Sequence, residues 1–255
     1  MINLLKGDFY KLKRSKSFYI CTSICVGLIA FFAAYIAIDY ASFEKLKEQV
    51  YLSTFAWIYL PFNETSFLPT FMPIFQAIFI TMFVTSEYTS GTIKDGVSLG
   101  YSRTKIYLSK LITVSVGSII MMLAAIFSTG LAAILIFGIY GSFSINDLLQ
   151  LVRMAGISGL LFIGFAGIFL MVGTLVKNMG HSMAINICIV IFLGFIVSGA
   201  GDTVWGRIWL LMNFAPNAVP QPEIAGIKMA IAVALTYLTG CSCIGAFSFR
   251  KQDIK

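Results

Sequence analysis

The sequence predicts an all-α membrane protein with six transmembrane helices, and three observations carry that reading. Of the 255 residues, 58% are hydrophobic and only 11% charged, with a mean hydropathy of +0.90. Soluble domains run nearer half apolar and a quarter charged. The apolar residues collect into six runs, at about 18–38, 67–86, 111–140, 154–176, 183–198 and 227–247. Most of these runs approach or exceed the roughly 20 residues that cross a hydrocarbon core. Finally, thirteen of the eighteen Lys and Arg fall in four segments: 1–17, 87–110, 177–182 and 250–255. Cytoplasmic loops collect such residues, so both termini are expected in the cytosol. Residues 1–255 read as a single transmembrane domain.

The net charge of +7 does not point to nucleic acid, because the cations sit at span ends rather than on one face. Anionic headgroups account for them more simply. Cys21, Cys25, Cys188, Cys241 and Cys243 lie within or beside apolar spans, without zinc spacing to a histidine. They read as small packing residues rather than a disulfide framework.

Residues 1–17 hold five cations against Asp8, and Leu5, Phe9 and Leu12 share one helical face. That pattern is an interfacial helix at the inner membrane surface. Span 1 follows a long basic segment and lacks an obvious cleavage site, so it is expected to remain as a membrane helix. The net acidic loop after it carries Glu44, Lys45, Lys47, Glu48 and Glu64, with Tyr51, Phe55, Trp57 and Tyr59 suited to the outer interface.

Span 2 repeats Phe67, Phe71, Phe75, Phe79 and Phe83 at every fourth residue. Such a row winds slowly around one broad side of a helix. It suits either a greasy wall for an amphipathic substrate or packing against helices and lipid. Pro69 and Pro73 soften or kink its outer end. Span 3 is long enough that it must tilt, kink or protrude. A short outer loop with Asn146 and Asp147 leads to span 4, whose five glycines make it a packing or a mobile helix. Lys177 to Ser182 form an inner turn that includes the single histidine, His181, for which no convergent metal ligands are offered. Between Gly201 and Ala225, the apolar middle from Ile208 to Met212 is too short to cross, which fits an extracellular re-entrant or interfacial segment before span 6, held by Trp205 and Trp209.

The longest polar run, Glu87 to Lys110, lies between spans 2 and 3. Gly91 can open a turn, and Ile93, Val97 and Leu99 can form an apolar strip. Gly100 suits the left-handed position that ends a helix, and Ser102 can cap the next one. The segment is either a solvated connection or a cytosolic docking helix.

Glu87-Tyr88-x-x-Gly91-Thr92-Ile93-Lys94, followed by Gly100-x-Ser102-Arg103 and Lys110, resembles the cytosolic coupling segment of ABC-2 type transporter permeases. The basic opening, the layout and the length fit as well, so the likeness covers essentially the whole chain. The resemblance implies a permease subunit in a bacterial plasma membrane, coupled to a cytosolic ABC ATPase that holds ATP and magnesium. A second permease, an identical copy in the simplest assembly or a non-identical one, would complete the pathway. Glu87, Gly91, Thr92, Ile93, Lys94, Gly96, Gly100 and Arg103 would form the coupling element, with Arg103 or Lys110 pairing with partner acids or headgroups. Phe71, Phe75, Gln76, Phe79 and Asn186 are the candidates for the pathway lining.

Small permeases of this kind resemble exporters of bacitracin-like and lantibiotic peptides and of phenol-soluble modulins, so an amphipathic peptide is the expected cargo. No phosphate loop occurs in the chain, and no intramembrane acid suggests ion coupling. No cofactor, enzymatic activity or nucleic-acid partner is therefore expected of this chain itself. A non-transporting immunity or sensor subunit is the alternative, with a membrane-embedded lipid enzyme less favoured.

Overall fold

The computed structural model describes residues 1–42, 67–137, 145–200, 208–214 and 223–252. The aromatic and acidic loop after span 1, the end of span 3 and Trp205 lie outside these residues. All described elements are helical: α1 (Ile2–Arg14), α2 (Lys16–Ser42), α3 (Phe67–Thr89), α4 (Thr92–Ser98), α5 (Arg103–Phe137), α6 (Ile145–Val176), α7 (Met179–Ala200), a 3₁₀ turn (Leu210–Asn213) and α8 (Ile224–Lys251).

By length and composition, four described helices can cross a membrane: Phe71–Thr89, Arg103–Ala132, Leu148–Val176 and Ile224–Lys251. A fifth is added if Ile2–Arg14 and Lys16–Phe32, bent by 55° at their junction, count as one span, and Met179–Phe192 forms a shorter apolar helix. The chain is a multi-pass membrane protein. Phe127, Leu131, Leu135, Phe192 and Phe247 remain exposed on its sides, as lipid-facing residues do where no aqueous boundary favours polar side chains.

The most enclosed element is α6, which packs along α8, α5 and α3. Its glycines serve close packing: at Gly167 a Cβ would lie 3.5 Å from the Cα of Leu238 on α8. Small residues allow such backbone approach where the lipid gives no hydrophobic drive for association. Asn146 and Asp147 belong to the first turn of α6 rather than to a loop, an end where the helix dipole favours acidic and capping residues.

Two further contacts lay beyond the sequence reading for a common reason. The apolar face of α1 is turned onto α5, with Leu12 and Asp8 buried. In the segment before α8, Trp209, Leu210 and Phe214 are buried in the bundle. The Trp209 ring meets Phe165 edge-on at 5.7 Å and Tyr237 at 5.8 Å. The free energy of removing an indole from water is gained equally against protein or at the headgroups, so composition alone did not separate an interfacial tryptophan from a packed one.

Candidate coupling site at the basic end of the bundle

The basic segments converge at one end of the bundle. There α3 ends at Thr89, and Gly91 takes a left-handed conformation at φ 73° that turns the chain into α4. Two turns later the helix is closed by paired bonds: Gly100 N–H donates to Val97 O at 3.0 Å and Tyr101 N–H to Gly96 O at 3.3 Å. With Gly100 at φ 82°, this is a Schellman ending, which needs a left-handed residue just past the cap. Ser102 stands before α5, its carbonyl accepting the Ile106 N–H at 3.2 Å. Replacing Gly100 by Ala is expected to cost about 1 kcal/mol because the Cβ strains the left-handed backbone. Thermal unfolding in detergent checks this, with Gly100→Asn falling between the two.

Short helices need tertiary support, and α4 draws it from Ile93 and Val97, one turn apart. Ile93 is buried and Val97 packs against the same core. Gly96 lies against α5, where a Cβ would meet Ile106 Cδ1 at 3.3 Å. The strip anticipated from Ile93, Val97 and Leu99 is therefore divided. Its first two members face inward, and Leu99 is 75% exposed beside exposed Lys94, Asp95 and Ser98.

Behind α4 lies a buried ionic cluster. Lys110, 3% exposed, is paired with Glu87 through a close Nζ–Oε2 contact and stands 3.6 Å from Asp8 Oδ1. Lys11 Nζ lies 3.3 Å from the other Glu87 oxygen, and Ser109 Oγ donates to Asp8 Oδ2. Two carboxylates thus meet two ammonium groups, which offsets the desolvation that would otherwise forbid such burial. The cluster ties α1 to the end of α3 and the start of α5, so the polar run is clamped at both of its margins. Lys110 is consequently enclosed by the chain's own acids rather than presented to a partner or a headgroup.

Arg103 also turns inward. Its Nη1 donates to Arg250 O at 2.9 Å and to Gln252 O, meeting the carbonyls left unpaired where α8 ends, a favourable site for a cation. Gln252 Nε2 in turn donates to Thr174 O at 2.9 Å. The start of α5 is thereby joined to the ends of α8 and α6.

The pathway candidates lie higher in the bundle. Gln76 Nε2 donates to Ser118 Oγ at 2.8 Å and to Phe162 O at 2.7 Å, tying α3 to α5 and α6. Asn186 Nδ2 donates to Thr81 Oγ1 at 2.8 Å, tying α7 to α3. The amide oxygens of both side chains are buried and have no hydrogen-bond partner among the described residues. Phe79 is buried against Phe18 with ring centroids 5.2 Å apart, Phe75 is half-buried and Phe71 is partly exposed. In this conformation Gln76, Phe79 and Asn186 form helix contacts inside one chain.

Asp8, Lys11 and Ser109 were not singled out from the sequence as members of the site. One signal for Asp8 was present, since it is the only acid in residues 1–17 and falls on the same face as Leu5 and Leu12. An acid on the apolar face of an amphipathic helix implies a buried counter-charge.

A family model described as ABC-2 family transporter protein matches residues 4–196, which include the whole polar run and its clamp. No curated protein matches the chain.

Proposed function

The chain belongs to the ABC-2 transporter family, and from that premise we propose that it is the permease of an ATP-driven exporter whose ATPase docks on the exposed face of α4. Membership makes it a membrane transport component and implies a partner ATPase. Six spans, cytosolic termini, a bacterial plasma membrane and a pair of permease copies complete the proposal. The supporting observation is the division of α4, anchored inward by Ile93 and Val97 while Lys94, Asp95, Ser98 and Leu99 face outward. A two-turn helix held this way moves with its neighbours when pressed from outside.

ATP binding on the partner draws the two ATPases together and pushes each α4. The push passes to α5 through Gly96 and Ile106, to α3 through the Glu87–Lys110 clamp, and to α8 through Arg103. Core packing permits discrete rearrangements of this kind rather than smooth bending. Amphipathic peptides are the proposed cargo. Contact with Phe71, Phe75, Gln76, Phe79 and Asn186 requires α3 to part from its neighbours, so that cargo or water replaces the contacts of Gln76 and Asn186.

The test is Leu99→Glu, which alters an exposed side chain at the end of α4. ATPase recovered with the permease from gently solubilised membranes should fall about tenfold, as for the loss of an interface anchor, while thermal unfolding stays unchanged. Undiminished recovery would remove the docking assignment. Ile93 is unsuited to this test, because it is buried and its replacement by a charge would unfold α4.

A further inference from the structure

Beside the coupling site, and sharing Glu87 and Thr92 with it, a cleft of about 350 Å³ opens at the elbow between α1 and α2. It is lined by Lys11, Ser15, Ser17, Ser86, Ser90 and Thr92 at its polar edge, with Met82, Phe83 and Met179 as apolar wall and the paired Glu87 behind Lys11. We propose that this cleft holds an anionic phospholipid of the inner leaflet, its phosphate on the polar edge and the first part of its chains against Met82, Phe83 and Met179.

Four observations converge on that ligand chemistry. The lining combines the apolar side chains of Met82, Phe83 and Met179 with five hydroxyl groups and Lys11, which fits an amphiphile better than a free ion. Lys11 is 43% exposed and spends one contact on Glu87, leaving ammonium protons for a phosphate oxygen. Lys13, Arg14 and Lys16 stand on the same elbow, whereas Asp8, the only acid of that stretch, is buried against Lys110. The elbow therefore presents uncompensated positive charge to the membrane surface, where basic residues attract anionic lipid. Last, the 55° bend between α1 and α2 sets the cleft where a basic amphipathic helix meets an apolar one, a junction suited to headgroups.

The assignment rests on placing this end of the bundle at the inner interface, but not on ATP-driven transport. It is tested on the full-length chain in detergent micelles with a phosphatidylglycerol carrying a photoreactive headgroup, and labelled peptides are mapped by mass spectrometry. Labelling is expected on peptides from Lys11–Ser17 and Ser86–Thr92. It should fall about fivefold in Lys11→Gln, as for the loss of one cation at a lipid surface.

Ser86→Phe, which fills the cleft from an exposed position and leaves every charge of the ionic cluster in the chain, should also remove the label while unfolding at the wild-type temperature. Equal labelling by the phosphatidylcholine analogue, or labelling retained in both variants, would overturn the proposal. Competition by soluble glycerol phosphate alone, without effect from unlabelled phosphatidylglycerol, would assign the cleft to a free phosphate ester and exclude the lipid. None of these outcomes depends on whether an ATPase binds α4, so a failed lipid site and a failed docking site are distinguishable.

Discussion

Lys110→Met is expected to destabilise the folded protein by about 3–5 kcal/mol, the range for removing one partner of a buried ion pair. The substitution keeps most of the side-chain volume, so the loss is electrostatic. Glu87 retains Lys11 at 3.3 Å, whereas Asp8 retains only the Ser109 hydroxyl and no cation. A carboxylate left buried without a counter-charge is the costly species, and the chain relieves it by letting α1 leave α5. The melting temperature in detergent should fall by well over the effect of Gly100→Ala. Limited proteolysis should also release residues preceding Ser15 first.

The accompanying variant is Asp8→Asn, Glu87→Gln, Lys110→Met, which removes the three buried charges together and leaves the half-exposed Lys11. Replacing a complete buried set is commonly near neutral, so this triple variant should recover most of the lost stability. Equal melting of Lys110→Met and the wild type would show that the cluster is not closed in the membrane. A triple variant as unstable as the single one would show that its contribution is packing rather than charge.

Gly245→Ala is the second large effect, about 3 kcal/mol, at the upper end for overpacking a close contact. Gly245 on α8 is buried against Tyr107 on α5, and a Cβ there would collide with the phenol oxygen and stand 2.7 Å from Cζ. The Tyr107 ring is itself fully buried, with its centroid 6.3 Å from that of Phe249, so it has nowhere to retreat. The helices must separate, and four residues beyond Gly245 in the chain the same face carries Phe249, next to the carbonyl that Arg103 grips.

Two readouts follow from this geometry. The melting temperature drops, and the C-terminal residues after Phe249 become susceptible to protease. Gly245→Ala combined with Tyr107→Leu should regain part of the stability, because the smaller side chain vacates the contact. An alanine variant as stable as wild type, with a protected C-terminus, would refute the close approach of α5 and α8.

Much of the polar run between α3 and α5 was legible in the sequence because its determinants are local. Gly91 and Gly100 stand where only a left-handed backbone continues the chain, and that requirement is written within four or five residues of each. The pairing of Glu87 with Lys110 was not legible, since both were known as charges at the margins of the run and nothing local fixed their partners. Their burial depends on Asp8, far from both in sequence, arriving on a helix whose apolar face could equally have met lipid. The same ambiguity hid the buried placement of Trp209 and the inward turn of Arg103.

The sequence by itself determined that this chain is helical, multi-pass and basic at one side, because those properties follow from composition and from the period of its apolar residues. It also determined where the polar run breaks into helices. Only the tertiary structure decided which faces are covered by protein and which by lipid. To an apolar side chain, hydrocarbon and a neighbouring helix are nearly the same solvent, so hydrophobicity cannot choose between them. That choice is made by close fit, as at Gly245 and Gly167, and by the few buried polar groups, such as Lys110 and Gln76, that must find one another.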